Sequence, residues 1–310
     1  MIAFVTGGTG ALGTPTVARL RASGHTVRAL ATSPDSARRL RAAGAEPVQT
    51  SMFDRPGLVA AVRGADAILH LATRIAPASQ ARSRGAWREN DRIRIAGTRN
   101  LVDAALATGV GVVVYPSFAP VYADGGARWL SVGAPVDPTE VLESTLVAED
   151  EVVRYAAAGG RGVVLRMAGV YGPHSAATRD VLALARRGIS AFAGPPDAYQ
   201  PLVWDEDAAA ALVVASMTDE VGGTYDVADD EPLTRARLAQ VLTGLTGRRV
   251  RRPPTWLVRL ALGPRMKFLL RSQRVSNRRF TAATGWAPQV RSAADGLARL
   301  ARAAAAPVPR

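Results

Sequence analysis

The segment VTGGTGALG, residues 5–13, constrains the fold more than any other part of the chain. It begins within a short apolar run at residues 2–7 and precedes a helix-like segment at residues 14–24. Gly7, Gly10 and Gly13 are spaced three residues apart. Such a loop must turn tightly, let its backbone approach a pyrophosphate and allow a helix to pack closely on a strand. Each of these tasks favours a residue without a side chain. This context predicts a strand, a phosphate-binding loop and a helix whose N-terminal N–H groups face the phosphates.

Strand-like and helix-like segments alternate after this loop. Strands are predicted at 25–32, 66–73, 111–117 and 162–170, and helices at 33–44, 97–110 and 138–158. This alternation predicts an α/β fold, a Rossmann-like doubly wound parallel sheet in a dinucleotide-binding domain at 1–172. The pattern loosens after residue 172. We therefore expect a smaller, mostly helical C-terminal substrate lobe from 173–222 and 230–310, with a strand near 223–229 returning to the sheet.

Composition excludes several classes of site. The chain has no cysteine and three scattered histidines, so disulfides, thiol nucleophiles and a metal site are not expected. The net charge of +13 comes almost wholly from arginine, because Lys267 is the only lysine. A solvated surface is the favoured interpretation, since no nucleic-acid-binding motif accompanies the charge.

No signal for a membrane or for export is found. No apolar run approaches the roughly 18 residues of a membrane span, and the first residues lack the pattern of a secretion signal. We therefore expect a cytoplasmic protein with neither a nucleic acid nor a membrane partner. The basic segment 251–274 leaves two interpretations, a membrane-surface helix or a lobe helix with its apolar face on the core, and the second is favoured.

The glycine spacing and four later segments resemble the short-chain dehydrogenase/reductase superfamily, in its extended, epimerase/dehydratase-like branch. The segments are DAILHLAT (66–73), AGTRNLVDAA (96–105), LRMAGVYGP (165–173) and TGWAP (284–288). The resemblance implies an oxidoreductase that binds NAD(P)H. It implies cofactor contacts from Gly7, Thr9, Gly10, Ala11, Leu12, Gly13, Thr32, Ser33, Arg38, Ser51, Met52, Leu71, Ala72, Thr73, Ser117 and Met167.

The end of the second predicted strand bears on the choice of dinucleotide. NAD-dependent relatives tend to keep an acidic residue there, whereas this chain has Ala31, Thr32 and Ser33. Small hydroxyls with Arg38 or Arg39 one turn later favour NADPH, and NADH remains possible. The arginine of NADP-binding relatives is replaced here by Thr32.

The family's usual catalytic residues are missing. Relatives carry a tyrosine and, four residues later, a lysine on a helix, and these places fall on Val141 and Thr145 in PTEVLESTLVAE (138–149). The usual serine place falls on Phe118, so Ser117 remains a candidate for a carbonyl contact. No shift of alignment restores the pair, because Gly263 lies four residues before Lys267.

Three functions are compatible with this pattern. The favoured one is a ketoreductase of antibiotic biosynthesis that reduces a polycyclic aromatic polyketide, similar to the atypical ketoreductases of angucyclinones, with a proton from a substrate hydroxyl. General acid catalysis contributes typically about 10²–10⁴-fold, which a substrate hydroxyl can supply. Such an aromatic substrate would contact Phe118, Val141 and Met167, with Trp87, Trp129 or Trp204 as further candidates. The alternatives are an inactive NADP(H)-binding redox sensor and a sugar-nucleotide epimerase/dehydratase. The oligomeric state is not predicted.

Overall fold

The computed structural model describes residues 1–76 and 80–305. Its strands, in chain order, are β1 (Ile2–Thr6), β2 (Thr26–Leu30), β3 (Glu46–Val48), β4 (Ala67–His70), β5 (Val112–Phe118), β6 (Trp129–Leu130), β7 (Arg161–Met167), β8 (Gly169–Tyr171), β9 (Tyr199–Gln200), β10 (Leu202–Trp204), β11 (Gly223–Val227), β12 (Leu233–Thr234) and β13 (Arg274–Val275).

The α-helices are α1 (Gly13–Ala22), α2 (Pro34–Ala42), α3 (Arg55–Val62), α4 (Arg84–Arg92), α5 (Thr98–Thr108), α6 (Glu140–Ala157), α7 (Ala176–Arg186), α8 (Asp205–Met217), α9 (Arg235–Thr246), α10 (Thr255–Leu262), α11 (Arg278–Thr284) and α12 (Ala293–Ala305). A π-helical turn (Ile93–Gly97) joins α4 to α5, and 3₁₀ turns span Ala119–Val121 and Pro264–Leu270. No helix within the described ranges is long and apolar enough to cross a bilayer.

Seven strands form one parallel sheet in the order β11-β7-β5-β4-β1-β2-β3. The chain runs outward from β1 to β3 and then returns to build the other half from β4. This order confirms the predicted Rossmann-like doubly wound sheet. It also confirms that the predicted segment 223–229 returns to the sheet, as β11 beside β7.

The sheet is covered on both faces, and β1 shows how the sequence achieves this. Ala3 and Val5 pack into the layer of α1 and α8, while Phe4 packs on the opposite side with residues of α3, α5 and α6. All three are fully buried. Because successive strand residues point to opposite faces, a strand buried on both sides must be apolar throughout.

Helix α8 lies on the sheet, beside α1. Ala208, Ala211 and Leu212 share a core cluster with Val5 and Val17. The lobe predicted at 173–222 included this stretch, and the packing places it with the sheet instead. Its alanine-rich sequence explains the close approach, but periodicity alone cannot tell which core an apolar helix joins.

The smaller lobe has a core of its own, separate from the sheet. It gathers residues of β8, β10, α9 and α12, including Tyr171, Trp204, Leu238, Leu242 and Leu297. Tyr171 and Trp204 pack edge to face with ring centroids 5.4 Å apart.

The favoured interpretation of segment 251–274 is wrong for α10. Trp256 is 66% exposed and Leu260 is 72% exposed, and none of the α10 side chains that the structure describes is buried. The buried apolar residues of this segment are Met266 and Phe268, which lie in the following 3₁₀ turn. Gly263, with φ +69°, redirects the chain between the two, so the turn reaches the core while α10 projects outward.

A buried histidine ties β1, β4 and α5 together. His70 Nδ1 lies 2.7 Å from Thr6 Oγ1, and His70 Nε2 lies 3.0 Å from Thr98 Oγ1. Thr6 Oγ1 also accepts a hydrogen bond from the Ala72 N–H at 3.3 Å. Burial, and secondly the charge of Arg94, lowers the pKa of His70 to about 4. The imidazole is therefore neutral at physiological pH.

The lowered pKa of His70 makes the stability of the fold depend on pH in a defined direction. Since the pKa is lower in the folded chain than the ordinary 6.5, the unfolded chain binds more protons between pH 6.5 and 4, and stability falls as the pH falls through that range. We expect His70→Asn to remove this pH-dependent part of the stability. The difference in free energy of unfolding between the wild type and His70→Asn should shrink by about 3 kcal/mol from pH 6.5 to 4 in urea titrations. A difference that stays constant with pH would contradict the assignment.

Candidate cofactor and substrate site

The residues predicted to hold the cofactor meet at one edge of the sheet. They follow the carboxyl ends of β1, β2, β3 and β4 or end β5 and β7. Because these strands are parallel, the segments after them emerge on the same side. The structure thus gathers residues that are far apart in sequence into one crevice.

The glycine loop is built by close backbone contacts. Gly7 has φ +71°, and a Cβ there would lie 2.7 Å from backbone atoms of Leu71 and Ala72. A Cβ on Gly13 would lie 2.1 Å from the carbonyl oxygen of Gly7. No larger residue fits at either position without moving backbone. Gly10 differs, because it is exposed and its Cβ would have a single neighbour within 4 Å, the Gly7 oxygen at 3.3 Å.

The N-terminus of α1 is prepared for an anion. The helix begins at Gly13, its N-cap residue Leu12 makes no side-chain capping bond, and the first turn contains no acidic residue. In this turn the Thr14 and Thr16 N–H groups already donate to the carbonyl oxygens of Gly10 (2.9 Å) and Leu12 (3.1 Å), and Pro15 has no N–H, so the attraction for an anion comes from the helix dipole. Together with the narrow glycine loop, this end of the helix fits a dinucleotide pyrophosphate.

Beyond β2, one arginine reaches the loop and its neighbour does not. Arg39 Nη2 donates to the carbonyl oxygen of Thr9 at 2.8 Å. Arg38, which was expected among the cofactor contacts, instead donates to Asp35 at 2.7 Å in an exposed ion pair. The i,i+3 spacing of Asp35 and Arg38 was visible in the sequence and predicts this pairing.

The polar residues at the start of α2 mainly serve that helix. The Ser33 hydroxyl accepts the Ser36 N–H at 3.1 Å, and the Ser36 hydroxyl accepts the Ser33 N–H at 3.0 Å. This capping box and Pro34 at the first turn confirm the predicted helix start. Thr32 beside it is exposed.

The segments after β3 and β4 complete the outer part of the crevice. Met52 is buried, its carbonyl oxygen accepts from Asn100 Nδ2 at 3.0 Å, and its side chain lies against Gly97. Ser51 is exposed. After β4, burial decreases stepwise from Leu71, which is buried, through Ala72 to the exposed Thr73.

The face of α6 where relatives carry the tyrosine and lysine is apolar and closed. Val141 is 2% exposed and Thr145 is fully buried one turn later. Thr145 Oγ1 finds no hydrogen-bond partner within the ranges that the structure describes. A buried hydroxyl without a partner costs about 1–3 kcal/mol, so its position on this face fits contact with a cofactor hydroxyl.

Ser117, the candidate for a carbonyl contact, has its side chain engaged elsewhere. Its hydroxyl donates to the Glu149 carboxylate. Arg166 donates to the same carboxylate through Nε at 3.0 Å and Nη2 at 2.7 Å. The buried ion pair therefore holds Ser117 and leaves it poorly placed to polarise a carbonyl group.

Three tyrosine hydroxyls are also used internally. Tyr122 donates to Asp226 Oδ1 at 2.8 Å, Tyr171 donates to the Ser292 carbonyl at 3.1 Å, and Tyr155 donates to the Val110 carbonyl. Burial raises the pKa of each above its ordinary value. None is placed as a proton donor for a ligand at the sheet edge.

An apolar group, here the Phe118 cluster, lies where β5, α4, α6 and the second 3₁₀ turn meet. Its members are Ala76, Ala81, Trp87, Val121, Val141, Leu142, Met266 and Phe268, with Ala86, Phe118 and Leu146 at its margin. Phe118 and Phe268 pack edge to face with ring centroids 6.2 Å apart. Sequence patterns did not identify Met266 and Phe268, because they reach this place only through the turn after α10.

The other residues expected in the substrate pocket have separate locations. Met167 lies next to Phe118 in register across β5 and β7, but its side chain is buried in the core cluster that contains α8. Trp87 belongs to the Phe118 cluster. Trp129 is 43% exposed with Arg274 above its ring, and Trp204 is in the core of the smaller lobe.

Comparisons with known proteins agree with this architecture. Residues 3–228 match the model of the NAD dependent epimerase/dehydratase family. A Streptomyces protein described as 3-diazoavenalumate denitrifying reductase is 32% identical over 96% of this chain and its own full length. A Stigmatella aurantiaca ketoreductase of a farnesyl dihydroquinoline oxide is 34% identical over 40% of this chain and 36% of its own. The solved human epimerase family protein SDR39U1 with NADPH superposes with a TM-score of 0.78 at 23% identity, covering 97% of this chain and 99% of that one.

Bulk at Gly10 tests the loop with a single close internal contact, between the added Cβ and the Gly7 oxygen at 3.3 Å. We expect Gly10→Val to weaken NADPH binding more than 100-fold, about 3 kcal/mol, because the new side chain occupies the space that a pyrophosphate needs. Calorimetric titration measures the affinity. Gly244→Val on α9 is the matched control, since a Cβ there meets nothing within 4 Å. Near-normal NADPH affinity of a folded Gly10→Val protein would show that the loop does not hold the cofactor.

Proposed function

The chain belongs to the NAD dependent epimerase/dehydratase family, and we propose that within it this protein is a reductase of flat aromatic substrates that provides no proton donor of its own. Family membership and the reductase relatives make it an NAD(P)-dependent oxidoreductase. The observation that carries the finer proposal is the closed apolar face at Val141, which packs in the Phe118 cluster where relatives keep an acid.

The residues around the loop define how the cofactor would be held. The glycines and the first turn of α1 bind the diphosphate, and Thr145 lies on the helix face next to the reaction site. Bound NAD(P)H supplies a hydride. NADPH is favoured because β2 ends without a carboxylate, while Arg39 adds positive charge beside the loop.

The protein's own part in the reaction is to orient and to exclude water. Val141, Phe118 and Phe268 contain no exchangeable proton, the Trp87 indole N–H donates to the Ala81 carbonyl at 2.8 Å, and Ser117 is bonded to Glu149. A reduction that creates negative charge on oxygen would therefore find no acid in this face. The acceptor must either bring its own proton or react without generating an oxyanion.

An aromatic ketone beside a phenolic hydroxyl meets the first condition. Hydride adds to the carbonyl carbon, the π electrons move to oxygen, and the neighbouring hydroxyl transfers its proton to that oxygen. Exclusion of water strengthens such an internal hydrogen bond. Polycyclic aromatic polyketides carry this arrangement, and the ketoreductase relative supports ketone reduction within the family.

An arene diazonium group meets the second condition. Hydride bonds to the ring carbon, the C–N bond breaks, and its electron pair leaves with dinitrogen, so no proton is required. The observation that favours this candidate is the similarity over nearly the whole chain to a reductase described as denitrifying and acting on a diazo compound. Sugar-nucleotide epimerisation is less favoured, because its chemistry uses the tyrosine that Val141 replaces.

The cofactor preference can be tested with two adjacent arginines. We expect Arg39→Ala to weaken NADPH binding about tenfold, roughly 1.4 kcal/mol, with little change for NADH, because only NADPH brings an extra phosphate near this side chain. Arg38→Ala is the matched control, since Arg38 is paired with Asp35. Calorimetry with both nucleotides gives the answer. Tighter NADH than NADPH binding in the wild type would refute the preference.

The proton source can be tested by restoring the family pair. Val141→Tyr with Thr145→Lys should not accelerate reduction and should slow it by filling the Phe118 cluster, with NADPH affinity as the check on folding. Three acceptors are compared in the wild type: an aryl ketone with a neighbouring phenolic hydroxyl, its methyl ether and an aryl diazonium salt. Loss of at least tenfold in rate for the ether supports the ketone, whereas turnover of the diazonium salt alone supports the second candidate. Faster ketone reduction by the double variant would show that a protein acid is compatible with this site.

A further inference from the structure

A cavity of about 630 Å³ adjoins the Phe118 cluster. The two share walls, because the 3₁₀ turn places Met266 and Phe268 in the cluster and Lys267 in the cavity. Likewise, Ala81 belongs to the cluster and Arg82 lines the cavity. The volume lies in the range of small-molecule sites.

The acidic residues of this cavity are already satisfied by the protein. Asp137 is ion-paired with Arg271, whose Nη1 also donates to the Tyr122 carbonyl at 3.0 Å. Asp124 accepts the N–H groups of Gly126 at 2.9 Å and Ser272 at 3.1 Å. Neither carboxylate, nor Arg271, therefore needs a ligand.

Three further cations line the same cavity without such partners. Arg82, Arg259 and Lys267 are exposed, and their side chains make no ion pair with any residue in the ranges 1–76 and 80–305. Arg82 lies close to the start of the turn, since a Cβ on Gly263 would be 3.9 Å from its Nε. Like charges gathered around one concavity raise the local potential and attract an anion.

We propose that this cavity binds a carboxylate of the substrate, and so anchors a molecule whose aromatic part lies against the Phe118 cluster. The proposal rests on the reductase function proposed above. Four cations against two carboxylates leave the lining with a net charge of +2, which attracts an anion. The similar Streptomyces reductase is described by an acid anion as its substrate, in agreement with this charge.

The anchor explains how an apolar site can fix an orientation. A flat ring against the Phe118 cluster meets only apolar and aromatic side chains, which resist rotation of the ring weakly. A carboxylate held by Lys267 and Arg259 removes that freedom, because one end of the substrate is then tied to charged donors.

Binding of simple probes tests the anchor on the full chain loaded with NADPH. The probes are 4-hydroxycinnamate, its methyl ester and inorganic phosphate, titrated by calorimetry at low and high salt. We expect the acid to bind at least tenfold more tightly than the ester and to weaken as salt rises. Arg259→Gln with Lys267→Gln should weaken the acid about tenfold and leave the ester unchanged. Arg41→Gln, an exposed arginine of α2 outside the cavity, is the matched control and should change neither.

Three results would overturn the proposal: equal affinity for acid and ester, phosphate binding as tight as the acid, or an unchanged acid affinity in the double variant. NADPH affinity of the double variant verifies that it is folded. NADPH oxidation is the separate readout for the reductase function. If only that function failed, no aromatic acceptor would oxidise NADPH, but the acid would still bind more tightly than the ester.

Discussion

The site depends on one steric constraint, the contact between the backbone of Gly7 and the end of β4. An added Cβ would lie 2.7 Å from Leu71 and Ala72, and the Gly13 contact with Gly7 is tighter still. These approaches bring the N-terminus of α1 down onto the edge of the sheet. The Thr6–His70–Thr98 hydrogen bonds hold the same strands together just below. This junction therefore sets the position of the residues around the crevice.

Short sequence patterns were enough to predict the parts of the fold that depend on neighbouring residues. The three glycines, the alternating apolar segments and the Ser33–Pro34 start of α2 each act within a few residues, so the sequence predicts the loop, the doubly wound order and the capped helix. The buried face of α6 was also predictable, since Val141 and Thr145 lie one turn apart. The altered chemistry was visible because the replaced residue types differ so strongly from tyrosine and lysine.

The parts that sequence could not predict depend on contacts between distant segments. Ser117 is held by Glu149, 32 positions away, and nothing near Ser117 indicates this partner. Met266 and Phe268 reach the Phe118 cluster only because Gly263 turns the chain. This turn leaves α10 exposed, which contradicts the expectation that its apolar face would pack on the core. Helix α8 joins the sheet because its alanines allow close packing with α1, a choice that periodicity does not determine.

The rarity of lysine gives the chain an experimental handle. All other basic side chains are guanidinium groups apart from the three histidines, and acylating reagents that attack amines leave guanidinium groups unmodified. Lys267 is therefore the single side chain that such a reagent can label, alongside the α-amino group of Met1, which contacts His25 at 3.4 Å. A fluorophore attached there would sit on the wall of the cavity. Acylation removes the positive charge of Lys267 but leaves every arginine of the cavity unmodified, and occupancy of that concavity would then be reported as a change in emission.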